Sequence, residues 1–389
     1  MRLDRVTVEP LWKRLFPLML AHGVNDFYGN ILPALLPLVK AKFDLSLALV
    51  GLASTTFTVS ASLTQLLFGW LGDRFSRVNF AVWGPALTGA FMALAALMPS
   101  YGLLLPVLIL AALGTAMFHP QATAIAGSLA THRRGLAISL FIAGGSLGFS
   151  LGPTLAASLF EGMQQAWGSW ELGAWVLLGA VVLCWLMLQR TVPPPPQIRA
   201  GALPARALLA AWRPLFTLWL IVVLRHAVYL SFLTYLIILM QQRGFSYQEG
   251  SVILFFFLLG GALSTLVGGP LSDRHGRKPV VVVSLALVYP CLWLFLHDPG
   301  WAGYVGLIAL GMALSINNPV IVAQAQELVP HHASTASAIT MGLGWGVGSL
   351  LVSVAGLLAD RWGIVSALDL IGTGTALAAL LALGMKARP

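Results

Sequence analysis

Gly69-Trp-Leu-Gly-Asp-Arg-Phe-Ser-Arg77 and Gly269-Pro-Leu-Ser-Asp-Arg-His-Gly-Arg277 are two copies of one pattern, Gly-x-Leu-x-Asp-Arg-x-(Gly/Ser)-Arg. Each copy lies between two long apolar runs. Asp73 and Asp273 are 200 residues apart, His22 and His226 204, Pro120 and Pro319 199, and Gly148 and Gly348 200. A shared offset near half the chain indicates two tandem copies in the same orientation.

The composition says what the copies are made of. Of 389 residues, 58% are hydrophobic and only 9% charged, against about 25% charged in a soluble domain. Too little polar surface exists to cover a water-soluble globule of this size, so a soluble enzyme and a disordered chain are both excluded. The apolar runs are long and unbroken. They suit membrane helices of about 20 residues rather than the alternating segments of about 10 found in barrels. The pattern predicts an all-α membrane protein with spans near 13–38, 47–71, 79–98, 102–127, 135–160, 168–188, 213–240, 249–271, 279–296, 303–326, 334–358 and 363–385. The interruption at 189–212 holds Pro193 to Pro196, Pro204, Arg190, Arg199 and Arg206. It reads as a linker between an N-terminal six-helix bundle (1–188) and a C-terminal one (213–389). The first run contains His22, Asn25 and Asp26 and is read as a retained span rather than a cleaved leader.

The net charge of +9 follows from membrane topology, not from nucleic-acid binding. With the N-terminus in the cytoplasm, 17 of the 22 Lys and Arg residues fall on the cytoplasmic side. Four fall outside, at Lys40, Lys42, Arg243 and Arg361, and Arg225 lies within a span. That bias fixes an orientation with both termini cytoplasmic, in a bacterial-type inner membrane. Cys184 and Cys291 have no metal or redox spacing and read as packing residues. No metal or other cofactor is expected. No Gly-x-x-x-x-Gly-Lys-(Ser/Thr) loop is present, so nothing supports ATP as the energy source.

Ionisable groups inside spans are costly and are functional candidates by default. They are His22, Asp26, His119, Arg225, His226 and, weakly, Asp369 near the outer end of the last span. His22 and Asp26 are four residues apart and share a helix face beside Asn25. Arg225 and His226 occupy the equivalent depth in span seven. Asp26 is therefore expected to pair with Arg225 or His226 in one state and to be protonated or substrate-bound in another. His119 precedes Pro120, where a kink is expected, and Asn317-Asn318-Pro319 is the matching spot in span ten. Gly144, Gly148, Gly152 and Pro153 form a small-residue stripe for helix packing. Gly144-Gly-Ser-Leu-Gly148 also fits the nucleophile-elbow pattern, but a long apolar helix lacks the strand-turn-helix context that an elbow needs. Most tryptophans sit near span ends as interfacial anchors. Trp345 is the exception and is expected to face a cavity.

These residues carry a resemblance. The paired loops resemble the signature loop of the major facilitator superfamily. His22-x-x-Asn25-Asp26, Phe118-His119-Pro120, Arg134-Gly-Leu-Ala-x-Ser139 and Ala325-Gln-Glu-Leu-x-Pro330 are similar to the branch that contains the bacterial fosmidomycin resistance proteins. The resemblance implies a twelve-helix fold in two pseudo-symmetric bundles, alternating access and proton-coupled export of a small anionic or amphipathic compound by a monomer. It implies gating by Gly69, Asp73, Arg74, Arg77, Gly269, Asp273, Arg274 and Arg277. Proton coupling falls to Asp26, His22 and His119, and substrate binding to Arg225, His226, Asn25, Gln121, Asn317, Asn318 and Trp345. One departure is Gln121, where the branch usually has Glu after His-Pro, so this position cannot titrate. Import of an organic acid or nutrient is the alternative. An intramembrane enzyme using Ser146 and His119 is a remote one, and a sensor would need an output domain that the chain lacks.

Overall fold

The computed structural model describes residues 11–74, 78–129, 134–195, 209, 211–329, 336 and 338–385, all of it helical apart from short connections. Side chains at 11, 70, 72–74, 134–136 and 138–139 are outside the description. The helices are α1 (Leu11–Gly29), α2 (Leu32–Phe43), α3 (Leu47–Arg74), α4 (Phe80–Ala96), α5 (Tyr101–Ser128), α6 (Arg134–Trp167) and α7 (Leu172–Thr191) in the first half. The second half holds α8 (Trp212–Gln242), α9 (Tyr247–His275), α10 (Arg277–His297), α11 (Trp301–Ser315), α12 (Asn318–Leu328) and α13 (Gly344–Leu383), the last preceded by a π-helical turn, Ala338–Leu343.

Among the described residues, nine helices are long and apolar enough to cross a membrane. The twelve expected spans differ from these nine at three places, each with a local cause. The first expected span is broken into α1 and α2 at Asn30–Ile31, with a proline in the first turn of α2. Helix α4, Phe80–Ala96, is apolar but short. The last two spans run together as α13, broken only at Gly363, whose φ of 82° and ψ of 159° no residue with a side chain adopts readily. The expected linker lies largely outside the described residues, as do Arg77, Pro196, Arg199, Pro204 and Arg206.

Small residues set how closely the helices approach. Gly144, Gly148 and Gly152 on α6 face the backbone of Met19, Gly23 and Phe27 on α1. Both series advance by four residues, so the two backbones touch along one seam with no room for a Cβ. That seam brings α6 against the face of α1 that carries His22 and Asp26.

The halves meet along α3, α8 and α13. At one end of the molecule Asp360 accepts hydrogen bonds from the backbone N–H groups of Leu47 (2.7 Å) and Ala48 (2.9 Å), capping α3 of the other half. The Tyr235 hydroxyl lies 3.0 Å from the carbonyls of both Leu47 and Val352 and shares its proton between them. Ser54 and Thr234 hydroxyls bond at 2.8 Å, and Thr55 donates to Ser349 O at 2.7 Å. Tyr247 donates to Ala34 O at 2.6 Å. All of these polar contacts except Tyr235 to Val352 join the two halves, and together they close that end.

Candidate functional site: a carboxylate between two histidines

Asp26 lies in the last turn of α1, just before the break at Asn30. His22 Nε2 is 3.1 Å from Asp26 Oδ2, and His119 Nε2 is 3.4 Å from Asp26 Oδ1. The other ring nitrogens are both anchored. His22 Nδ1 lies 2.8 Å from the carbonyl of Phe141 on α6, and His119 Nδ1 lies 2.9 Å from the carbonyl of Thr115 on α5. A carbonyl only accepts, so both Nδ1 atoms carry hydrogen and both Nε2 atoms turn toward the carboxylate. Asn25 fixes the carboxylate by donating to Oδ1 at 3.0 Å, and Thr88 fixes Asn25 by donating to its oxygen at 3.1 Å.

Donor counting then defines the chemistry. With both rings neutral and Asp26 ionised, nitrogen and oxygen lone pairs face each other at two contacts. Each contact needs one cation. Two protons satisfy both and give the trio a net charge of +1; releasing one leaves it neutral. Asp26 and His119 keep 16% and 29% side-chain exposure, while His22 is sealed at 7%. His22 also stacks on Phe141, with ring centroids 4.1 Å apart. Gly145 lies under the imidazole, where any Cβ would overlap the ring.

The expected partnership of Asp26 with Arg225 or His226 is not formed. Both histidine partners of Asp26 come from its own half. Arg225 is 2% exposed and donates through Nη1 to the Leu314 carbonyl at the end of α11. Its Nε has no acceptor, and it makes no ion pair among the described residues. His226 lies parallel to Trp345, with centroids 5.4 Å apart at 10°, and its buried Nε2 has no partner. Arg225 Nε and His226 Nε2 are thus both buried without partners, and the His226 ring lies against Trp345.

Two further expectations change. Gln121 is 5% exposed, and both ends of its amide are engaged: Oε1 accepts from Ala81 N–H at 3.1 Å and Nε2 donates to Val78 O at 3.0 Å. It holds the start of α4 rather than lining a site. Asn317 is fully buried and donates to Ser284 and to Ala313 O, which ties it into the α11–α12 break. Asn318 opens α12 and is half-buried. Asp369 pairs with His297 at 2.7 Å, a contact between α10 and α13 away from Asp26.

The loop residues divide likewise. Arg277 is buried and binds Asp273 (3.1 Å), Glu327 (2.9 Å) and the Ser272 hydroxyl (2.6 Å). Arg274 is exposed, and nothing approaches Gly269. Gly69 sits 3.8 Å from Pro120 by its missing Cβ. The side chains of Asp73, Arg74 and Arg77 lie outside the described residues. Reading the sequence missed Gly145, Thr88, Tyr235 and Asp360. The adjacent glycines at 144–145 were the only local signal for any of them.

Comparison with known proteins agrees with this architecture. Residues 18–353 and 218–389 match the Major Facilitator Superfamily in two overlapping stretches. The fosmidomycin resistance protein of Escherichia coli is 31% identical over 354 residues, which cover 89% of this chain and 86% of the relative. A probable sugar efflux transporter of Helicobacter pylori is 26% identical over 354 residues, 88% of each chain. Among solved structures, a bacterial homolog of the human lysosomal transporter Spinster, in an inward-facing and occupied conformation, superposes with a TM-score of 0.83 at 17% identity, covering 95% of both chains. A D-xylose-proton symporter gives 0.76 at 15% identity, over 96% of this chain and 97% of the other. These relatives are transporters, and the chain is a multi-pass membrane transporter, not an enzyme: it belongs to the major facilitator superfamily.

Proposed function

We propose that this protein exports a small anionic or amphipathic compound in exchange for protons, by alternating access between two six-helix halves of a twelve-pass bundle in the inner membrane. The carrying observation is the His22–Asp26–His119 cluster, whose two nitrogen–oxygen contacts each call for a bridging proton and whose Asp26 and His119 side chains stay partly exposed. With the N-terminus cytoplasmic, the end closed by Asp360 and Tyr235 is the outer one, and the cluster exchanges protons with the inner side. Asn25 and Thr88 hold the carboxylate in place. Gly145 gives the His22 ring its seat.

Arg225 is the anion partner. A buried guanidinium with no carboxylate beside it is expensive in a membrane. A substrate carrying a carboxylate or phosphonate relieves that cost, and the Trp345–His226 stack receives its less polar part. The Escherichia coli relative is a fosmidomycin resistance protein, and drug resistance fits this direction of transport.

The test uses everted vesicles carrying the protein, acid inside. Phosphonates, organic acids and amphipathic drugs are added, and a fluorescent dye reports proton release. Substrate-dependent release that disappears in Asp26→Asn supports the reading. Substrate movement with no proton movement overturns it.

A further inference from the structure

We propose that His22, Asp26 and His119 also form a binding site for a divalent transition-metal ion of the zinc, cobalt or nickel kind, and that a bound ion displaces the protons from the cluster. The argument starts from distances. The three ligand atoms lie within 4.8 Å of one another. The two nitrogen–oxygen separations are 3.1 and 3.4 Å. Nitrogen and carboxylate ligands sit about 2.0–2.2 Å from zinc, which puts neighbouring ligand atoms of a tetrahedron about 3.3–3.6 Å apart. Each histidine nitrogen therefore already lies at nearly a coordination-shell edge from one of the two carboxylate oxygens, and every remaining separation is within 4.8 Å, so small side-chain rotations close the shell on one ion.

The orientation of the rings points the same way. Each histidine uses Nδ1–H on a backbone carbonyl, Phe141 O at 2.8 Å and Thr115 O at 2.9 Å. That is the outer-shell arrangement that fixes a metal-binding imidazole with its free lone pair inward. Asn25 donates to the carboxylate at 3.0 Å and sets its plane. Two imidazoles and one carboxylate suit zinc, cobalt or nickel, and not magnesium or calcium, which prefer oxygen. Three protein ligands leave coordination positions open, and the exposed sides of Asp26 and His119 give the ion its entry and give water the remaining positions.

Metal binding itself is independent of the transport reading. Its antagonism of protons rests on that reading, because the ion takes the same two lone-pair contacts.

The experiment uses the full-length protein purified in detergent, titrated with Co2+ and followed by its visible absorption, then with Zn2+ in competition. One ion per chain is expected, with the intense visible bands of low-coordinate cobalt, removed by excess zinc but not by magnesium. His22→Gln, Asp26→Asn and His119→Gln should each weaken binding at least about tenfold. A His297→Gln variant, whose histidine pairs with Asp369 away from the cluster, should bind as the parent does. Where a cluster variant fails to fold, the parent protein supplies the second measurement. Its unfolding temperature should rise with zinc concentration as mass action requires, and magnesium should leave it unchanged. Absence of stoichiometric binding, or binding kept by a folded cluster variant, overturns the proposal. Zinc at saturation should stop substrate-dependent proton release from vesicles. Binding without that effect refutes the antagonism alone. Proton release with no metal binding refutes the site and leaves the exchanger intact.

Discussion

Gly145→Ala tests the geometry of the cluster most sharply, because it replaces none of the titrating groups. A Cβ at position 145 would sit 2.5 Å from Cε1 and 2.6 Å from Cδ2 of the His22 ring. Ordinary carbon contacts are about 3.5–4.0 Å, so the ring must retreat by about 1 Å. The ring already stacks on Phe141 with centroids 4.1 Å apart, and the displacement is expected to draw Nε2 away from Asp26. A contact of 3.1 Å then becomes about 4 Å, past hydrogen-bonding range. A hydrogen bond to a charged group contributes about 1.5–3 kcal/mol, one to two orders of magnitude in an equilibrium. We expect substrate-dependent proton release in everted vesicles to fall at least about tenfold, with insertion into the membrane retained. Overpacking also costs about 1–3 kcal/mol, so the unfolding temperature should drop. Gly162→Ala on the same helix, where nothing lies within 4 Å, serves as the matched control and should behave as wild type. Full coupling in Gly145→Ala at normal protein levels would refute the claim that the cluster needs the His22 ring where it lies.

Other outcomes follow from the same structure. Arg225→Gln should abolish transport of anionic substrates while sparing any neutral ones, and Arg225→Lys should keep part of it; equal loss for neutral and anionic compounds in a transport panel contradicts the anion role. Gln121→Glu replaces a donor to Val78 O with an acceptor, leaving two part-buried oxygens opposed at a cost of about 1 kcal/mol. It should lower the unfolding temperature without raising the number of protons exchanged, and a gain in stoichiometry would show that the position couples after all. Asp360→Ala removes two charge-assisted bonds across the halves and should loosen the closed end. A cysteine placed at Ser54, with Cys184 and Cys291 replaced by Ala, should then react several-fold faster with an impermeant thiol reagent in intact cells; an unchanged rate argues against Asp360 as a latch.

The sequence alone determined the class, the repeat and the shortlist of polar positions. Membrane helices announce themselves because every lipid-facing residue must be apolar, and a tandem repeat leaves a constant offset whatever the packing. The glycine stripe at 144, 148 and 152 was readable because close helix contact needs small residues at intervals of four. Which polar groups meet was a different matter. His22 and Asp26 share a helix face, so their contact was local, but His119 is 93 residues beyond Asp26 and joins it only because α1, α5 and α6 pack together. Nothing in the one-dimensional pattern distinguished His119 from Arg225 as the partner of Asp26, since both are polar groups at similar depth. The same limit hid the uses of Gln121, whose amide binds backbone groups at the start of α4, and of Asn317, whose Nδ2 donates to Ser284 and to Ala313 O at a helix break. It hid Asp360 as the cap of a helix more than 300 residues earlier. Burial and hydropathy are properties of a residue and its neighbours along the chain. The partner of a lone pair is a property of the packed bundle, and only the tertiary structure decided it.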